Sequence, residues 1–397
     1  MRWLSLTAVF LLPALAWFFI MNYVLSSQPA TLLDLPSDQW GAFTVQHWLR
    51  GTTPPLPKHA LFTSGGPGVA PAIVAREGSM SHNQVAQLAS TSKMVSSYIL
   101  DSMLRDAGYD PHATMLKEQL PNYPHEGVTI ADAMDFRSRS SVPALGDVNC
   151  VRLGNKSVED CLVEVMTERG FPLETNAFVY GPVHFFVAAQ ASFRLVGNRD
   201  LSMEAWDAAV EKYVRSPLGI SKEHFHYDRG ILCDMPWFLQ GDIPCIERSF
   251  PDLAADLSAN AVAYEKVLNE MIASGWAAET YAEPRPFSPK EVEDARAGGV
   301  QGVCGYKMGA WYMNFDREGN MDCAAKDHYV VASPGLWGSM AFLDPQAERY
   351  GFVMTSTAQN LSKTVHACLL GWLATTVIGL GAWVFNGRHS SEERLYG

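Results

Sequence analysis

Apolar side chains recur at helical spacing from about residue 81, with Val85, Leu88, Val95, Tyr98, Ile99, Met103 and Leu104 in step. The pattern predicts a helix starting near Ser81. Ser157 reads as the N-cap of another, running through Val163 and Met166. Pro182 suits the first turn of a helix reaching Leu195. Residues 203–215 and 252–273 are also helical by pattern. Ser288, Pro289 and Glu291 combine a capping box with proline at the first helical position.

Late in the chain the pattern changes to strands. They are predicted over 308–314, 329–332, 337–343 and 350–355, with turns at 316–319 and 344–348. Residues 71–74 predict a short early strand, and 64–68 a turn. A long apolar helix closes the chain. This order predicts an α+β fold, an antiparallel sheet flanked by helices with an inserted all-helical lobe.

Two apolar stretches carry no charge. Residues 3–27 are long enough to span a bilayer and read as an uncleaved anchor or a cleaved signal peptide within 1–28. Residues 367–385 read as a terminal core helix or a second membrane span, ahead of a polar tail at 386–397. Either reading of the first stretch sends the domain at 30–378 into the secretory pathway, to an extracellular, periplasmic or lumenal site. Membrane attachment through the first stretch is expected.

Composition narrows the partners. The chain has 397 residues, 48% hydrophobic and 18% charged, an ordinary globular balance. No linker divides its middle. A net charge of -12 without a basic cluster excludes a nucleic-acid partner. Six of seven cysteines form sequence-adjacent pairs: Cys150 and Cys161, Cys233 and Cys245, Cys304 and Cys323. Local disulfides would suit an oxidising compartment, although six cysteines allow fifteen pairings. Asn155 and Asn360 begin N-x-S sequons, compatible with glycosylation. His224, His226 and Asp228 resemble a metal pair but lack further ligands, so no metal and no cofactor is expected.

Ser90 and Lys93 form the only Ser-x-x-Lys of the chain. On a helix, positions three apart share a face, so the hydroxyl and amine can touch. A partly desolvated lysine can activate a serine by taking its proton. The bare motif arises by chance about once in such a chain, and a helix face with a solvated lysine explains it equally well.

Residues 89–93, the stretch 178–182 and the run 335–345 together resemble the serine beta-lactamase and penicillin-binding protein superfamily, especially its class C and esterase-like branch. The likeness covers roughly residues 70–378. It implies a beta-lactamase/transpeptidase-like fold and a small acyl-ester or amide substrate. Ser90 would be the nucleophile, Lys93 its base and Tyr180 a second acid/base. The N–H groups of Ser90 and Ser339 would form the oxyanion hole. Leu336, Trp337 and Gly338 would line the pocket, and His184, four residues after Tyr180 and so one helical turn along, could supply a polar group there.

Two departures matter. Pro182 stands where the family has asparagine, and Leu336 and Trp337 stand where beta-lactamases have lysine and threonine. The latter pair holds the substrate carboxylate in that family, so beta-lactamase and D,D-peptidase activities are not expected. Three readings follow from the resemblance: an ester or amide hydrolase, a catalytically inactive binding or scaffolding protein, and a transacylase.

Overall fold

The computed structural model describes residues 40–53, 56, 59–78, 80–140, 158–164, 176–197, 199–227, 250–283, 285–297, 303–325, 327–335 and 338–355. Among the described residues the main sheet has seven antiparallel strands in the order β2-β1-β10-β9-β8-β7-β6. These are β1 (Ala60–Gly66), β2 (Val69–Glu77), β6 (Gly305–Lys307), β7 (Ala310–Phe315), β8 (His328–Pro334), β9 (Met340–Asp344) and β10 (Arg349–Thr355). A small second sheet joins β3 (Ala86–Gln87), β5 (Leu257–Ala259) and β4 (Phe225–Tyr227). The helices are α1 (Trp40–Leu49), α2 (Ser92–Asp106), α3 (Leu116–Gln119), α4 (Ile130–Met134), α5 (Val158–Glu164), α6 (Val183–Gly197), α7 (Met203–Val210), α8 (Ser216–Leu218), α9 (Ala261–Ala273), α10 (Trp276–Tyr281) and α11 (Pro289–Ala297).

Helices cover both faces of the main sheet. Successive strand residues point to opposite faces. Phe342 of β9 lies opposite Gly351, so Phe352 belongs to the other face. Phe342 meets Trp48 of α1 edge-on at 5.2 Å, whereas Phe352 stacks on Tyr264 of α9 at 4.4 Å. Beyond the sheet, α6 packs on α2 and α4, giving the helical lobe. The expected α+β architecture is borne out.

Several boundaries differ from the sequence pattern. The helix expected from Ser81 begins only after a 3-10 turn at Ala89–Thr91, because Ala86 and Gln87 pair with β5. The helix expected from 252 starts at Ala261. Asp252 and Asn260 instead cap the N–H groups of Ala254 and Ala263, short side chains competing with a continuous helix. Residues 64–66, expected in a turn, belong to β1, where pairing with distant β10 overrides glycine's poor strand preference. Around α11, Ser288 and Glu291 do exchange capping hydrogen bonds, at 2.7 and 3.3 Å.

The membrane expectation is corrected. Among the described residues no helix is long and apolar enough to cross a membrane. The two apolar stretches, 3–27 and 367–385, lie outside the described residues. Cys304 and Cys323 are disulfide-bonded, with Cα atoms 5.1 Å apart. Cys161 is also disulfide-bonded. Cys150, Cys233 and Cys245 lie outside the described residues, as do Asn155, Asn360 and Asp228. His224 instead bonds Ser221, and His226 bonds the Lys222 carbonyl.

One ion pair makes stability depend on pH. His328 bonds buried Asp344 at 2.8 Å, and that contact raises the imidazole pKa against partial desolvation. A raised folded pKa contributes stability that is full below about pH 6.5 and lost as pH rises through the folded value. Urea unfolding of wild type and His328→Gln should therefore differ by about 0.5–1 kcal/mol at pH 5.5 and converge above the folded pKa. A gap that widens with pH would contradict the assignment.

Candidate active site

Ser90 sits on a strained turn. Between Leu88 and Leu100 every residue is buried except Ser90, which is half-buried. The preceding Ala89 has φ 47°, a left-handed conformation that costs a non-glycine residue about 1 kcal/mol or more. Neighbouring elements hold this turn in place. Leu88 N–H donates to the Leu257 carbonyl at 2.9 Å, and Leu257 N–H donates to Ser92 Oγ at 3.1 Å. The Tyr264 hydroxyl donates to the Thr91 carbonyl at 2.9 Å. Thus β5 and α9 fix the backbone that presents Ser90.

Lys93 completes the pair. Its Nζ donates to Ser90 Oγ at 2.7 Å and to the Ala254 carbonyl at 2.9 Å. The side chain is 4% exposed. Nζ also lies over the face of an aromatic ring, 4.9 Å from the Tyr180 centroid. Asp252 shapes the supporting turn. It accepts from Ala254 N–H at 2.9 Å, while its own N–H donates to Asp256 at 2.7 Å. A main-chain carbonyl leaves no signature in sequence, so Ala254 had no signal.

Tyr180 reaches the pair from a distant segment. Val179 N–H donates to the Phe136 carbonyl at 3.0 Å, placing the tyrosine just ahead of α6. Trp311 of β7 stacks on the Tyr180 ring at 5.5 Å, and Phe136 meets it edge-on at 4.7 Å. Trp311 was not foreseen, because nothing in spacing alone links β7 to residue 180. His184, expected in the pocket, is fully buried beneath Phe136 and bonds Ser138 Oγ at 2.7 Å. Desolvation drives its pKa down to about 3, so the ring is neutral at ordinary pH. Pro182 caps the front of α6, and its carbonyl accepts from Phe186 N–H.

The turn between β8 and β9 docks against the serine. Ser333 Oγ donates to the Ser90 carbonyl at 3.0 Å. Ser339 Oγ donates to the Leu88 carbonyl at 2.7 Å and lies 3.0 Å from Thr91 Oγ1. Gly338 adopts φ 83° and closes the turn by donating to the Gly335 carbonyl at 2.9 Å. Leu336 and Trp337 lie outside the described residues.

Gly335 is required by close approach. A Cβ there would sit 2.3 Å from the Leu88 carbonyl oxygen and 2.4 Å from Ser339 Oγ. Gly335→Ala should push this turn off the serine and destabilise the fold by about 1–3 kcal/mol. Thermal unfolding would detect the change, and an unaltered Tm would argue against so tight a contact.

Comparisons with known proteins agree on the fold. No protein-family model matches the chain, and no curated protein matches it in sequence. Solved structures do. EstCE1, described as a hydrolase with promiscuous acyltransferase activity, is 15% identical with a TM-score of 0.53, covering 75% of this chain and 88% of that one. The octameric penicillin-binding protein homologue from Pyrococcus abyssi is 14% identical with a TM-score of 0.52, covering 83% and 76%. A protein assigned as a beta-lactamase from Bacteroides dorei is 15% identical with a TM-score of 0.51, covering 75% and 84%. The chain has the fold of the serine beta-lactamase and penicillin-binding protein superfamily.

Proposed function

We propose that this chain is a serine hydrolase that opens an ester or amide through an acyl-enzyme on Ser90. One observation carries the reading: a buried amine lies 2.7 Å from the one half-buried residue of an otherwise buried helix start. In its neutral form Lys93 takes the hydroxyl proton as Ser90 Oγ attacks the acyl carbon. The carbonyl oxygen becomes negative, and the N–H groups of Ser90 and Ser339 stabilise it. The proton then passes to the leaving group by way of Tyr180, and that bond breaks. Water reverses the sequence and frees the acid.

The lack of lysine and threonine at 336 and 337 favours acyl groups without a carboxylate anchored there. An acceptor other than water gives a transacylase by the same chemistry. The acyltransferase activity in the description of EstCE1 supports including that acceptor.

Incubation with a fluorophosphonate, followed by peptide mass spectrometry, tests the proposal. The expected adduct is on Ser90. Folded protein that takes no label would favour a binding or scaffolding role. Product analysis with water against an added alcohol would separate hydrolysis from transfer.

A further inference from the structure

The segment leading to Tyr180 is held by an unusually costly arrangement. Arg137 is 6% exposed and pairs with Glu291 at 2.8 Å. Among the described residues two guanidinium nitrogens, Nε and Nη2, are buried without a hydrogen-bond partner. Phe136 and Arg139, on either side, both have left-handed φ values, 59° and 62°. Buried ion pairs, orphaned N–H groups and left-handed non-glycine residues each disfavour folding. All three converge on one short segment.

That segment grips the chain just before Tyr180. Arg137 Nη1 donates to the Asn176 carbonyl at 2.9 Å, and Arg139 Nε donates to Asn176 Oδ1 at 2.7 Å. Glu291 accepts from Phe178 N–H at 2.8 Å on Oε1 and from Ser288 N–H at 2.7 Å on Oε2. Desolvation pushes the Glu291 carboxyl up. The N–H donors of Ser288 and Phe178, with Arg137, outweigh it and hold the group below its usual range. Glu291 is therefore an anion that ties the start of α11 to the main chain two residues ahead of the phenol.

We infer that Glu291, neutralised by Arg137, is a positioning residue for Tyr180. The inference rests on the Ser90 acyl-enzyme reading. Its function is to fix the phenol against Lys93 while touching neither substrate nor reacting atoms. Glu291→Asp keeps the charge beside Arg137 but withdraws the carboxylate by one methylene, so Phe178 N–H loses its acceptor. Glu291→Gln keeps the length and removes the charge, leaving Arg137 uncompensated, so this variant risks misfolding.

The test uses the full chain, a chromogenic acetate ester and 3-fluorotyrosine labelling, with the resonance at 180 assigned from Tyr180→Phe. Glu291→Asp should lower kcat at least tenfold with KM within twofold, and should shift the fluorine resonance of residue 180. In the Tyr180→Phe background the same substitution should cost less than twofold, because its effect passes through the phenol. Equal losses in both backgrounds, or an unmoved resonance in folded Glu291→Asp, would overturn the inference. Wild-type protein without Ser90-dependent turnover would instead defeat the acyl-enzyme reading, and the resonance would still decide the positioning role.

Discussion

Ser90→Ala is expected to abolish fluorophosphonate labelling and to lower kcat/KM by about a hundred-thousand-fold or more. The expectation follows from the chemistry of covalent catalysis: without the hydroxyl no acyl-enzyme forms, and oriented donors alone supply only a residual rate. Stability should barely change. Ser90 is half-buried, and its hydroxyl bonds Lys93, which keeps the Ala254 carbonyl as a partner. A Tm within a few degrees of wild type is therefore expected. Persistent turnover with unchanged KM would move the nucleophile elsewhere.

Lys93→Met should lower kcat by about a hundred- to ten-thousand-fold, the range of a lost general base. Methionine retains much of the length and none of the basicity, so the variant isolates the amine. Two opposing contributions set its stability. Replacing a 4% exposed amine with a thioether relieves desolvation. The Ala254 carbonyl loses its donor, which costs about 1–3 kcal/mol. The net change should lie within about 2 kcal/mol of wild type. Active Lys93→Met would require another base, and nothing else in the described site stands within 3 Å of Ser90 Oγ as a titratable donor.

The hydrophobic pattern marks the elements better than their edges. The late strands were legible because each is a short apolar run between turn residues, and the capping box at Ser288 because its chemistry is local. The start of α2 was misread because Ala86 and Gln87 answer to β5, far along the chain, and not to their own periodicity. β1 was missed for the same reason: its glycines are strand residues only because β10 pairs beside them. His184 was misplaced because helical spacing gives a direction around an axis, not which side the protein fills.

The chain alone determined the spacing of Ser90 and Lys93, the order of the three motif-like segments and the alternation that makes a helix-covered sheet. Local backbone geometry enforces all of these, so they survive without knowledge of the fold. Only tertiary structure decided that Tyr180 turns its ring to Lys93, that Ala254 supplies a carbonyl and that Trp311 backs the phenol. Those contacts join residues far apart in sequence. They depend on sheet pairing and helix packing, which no periodicity encodes.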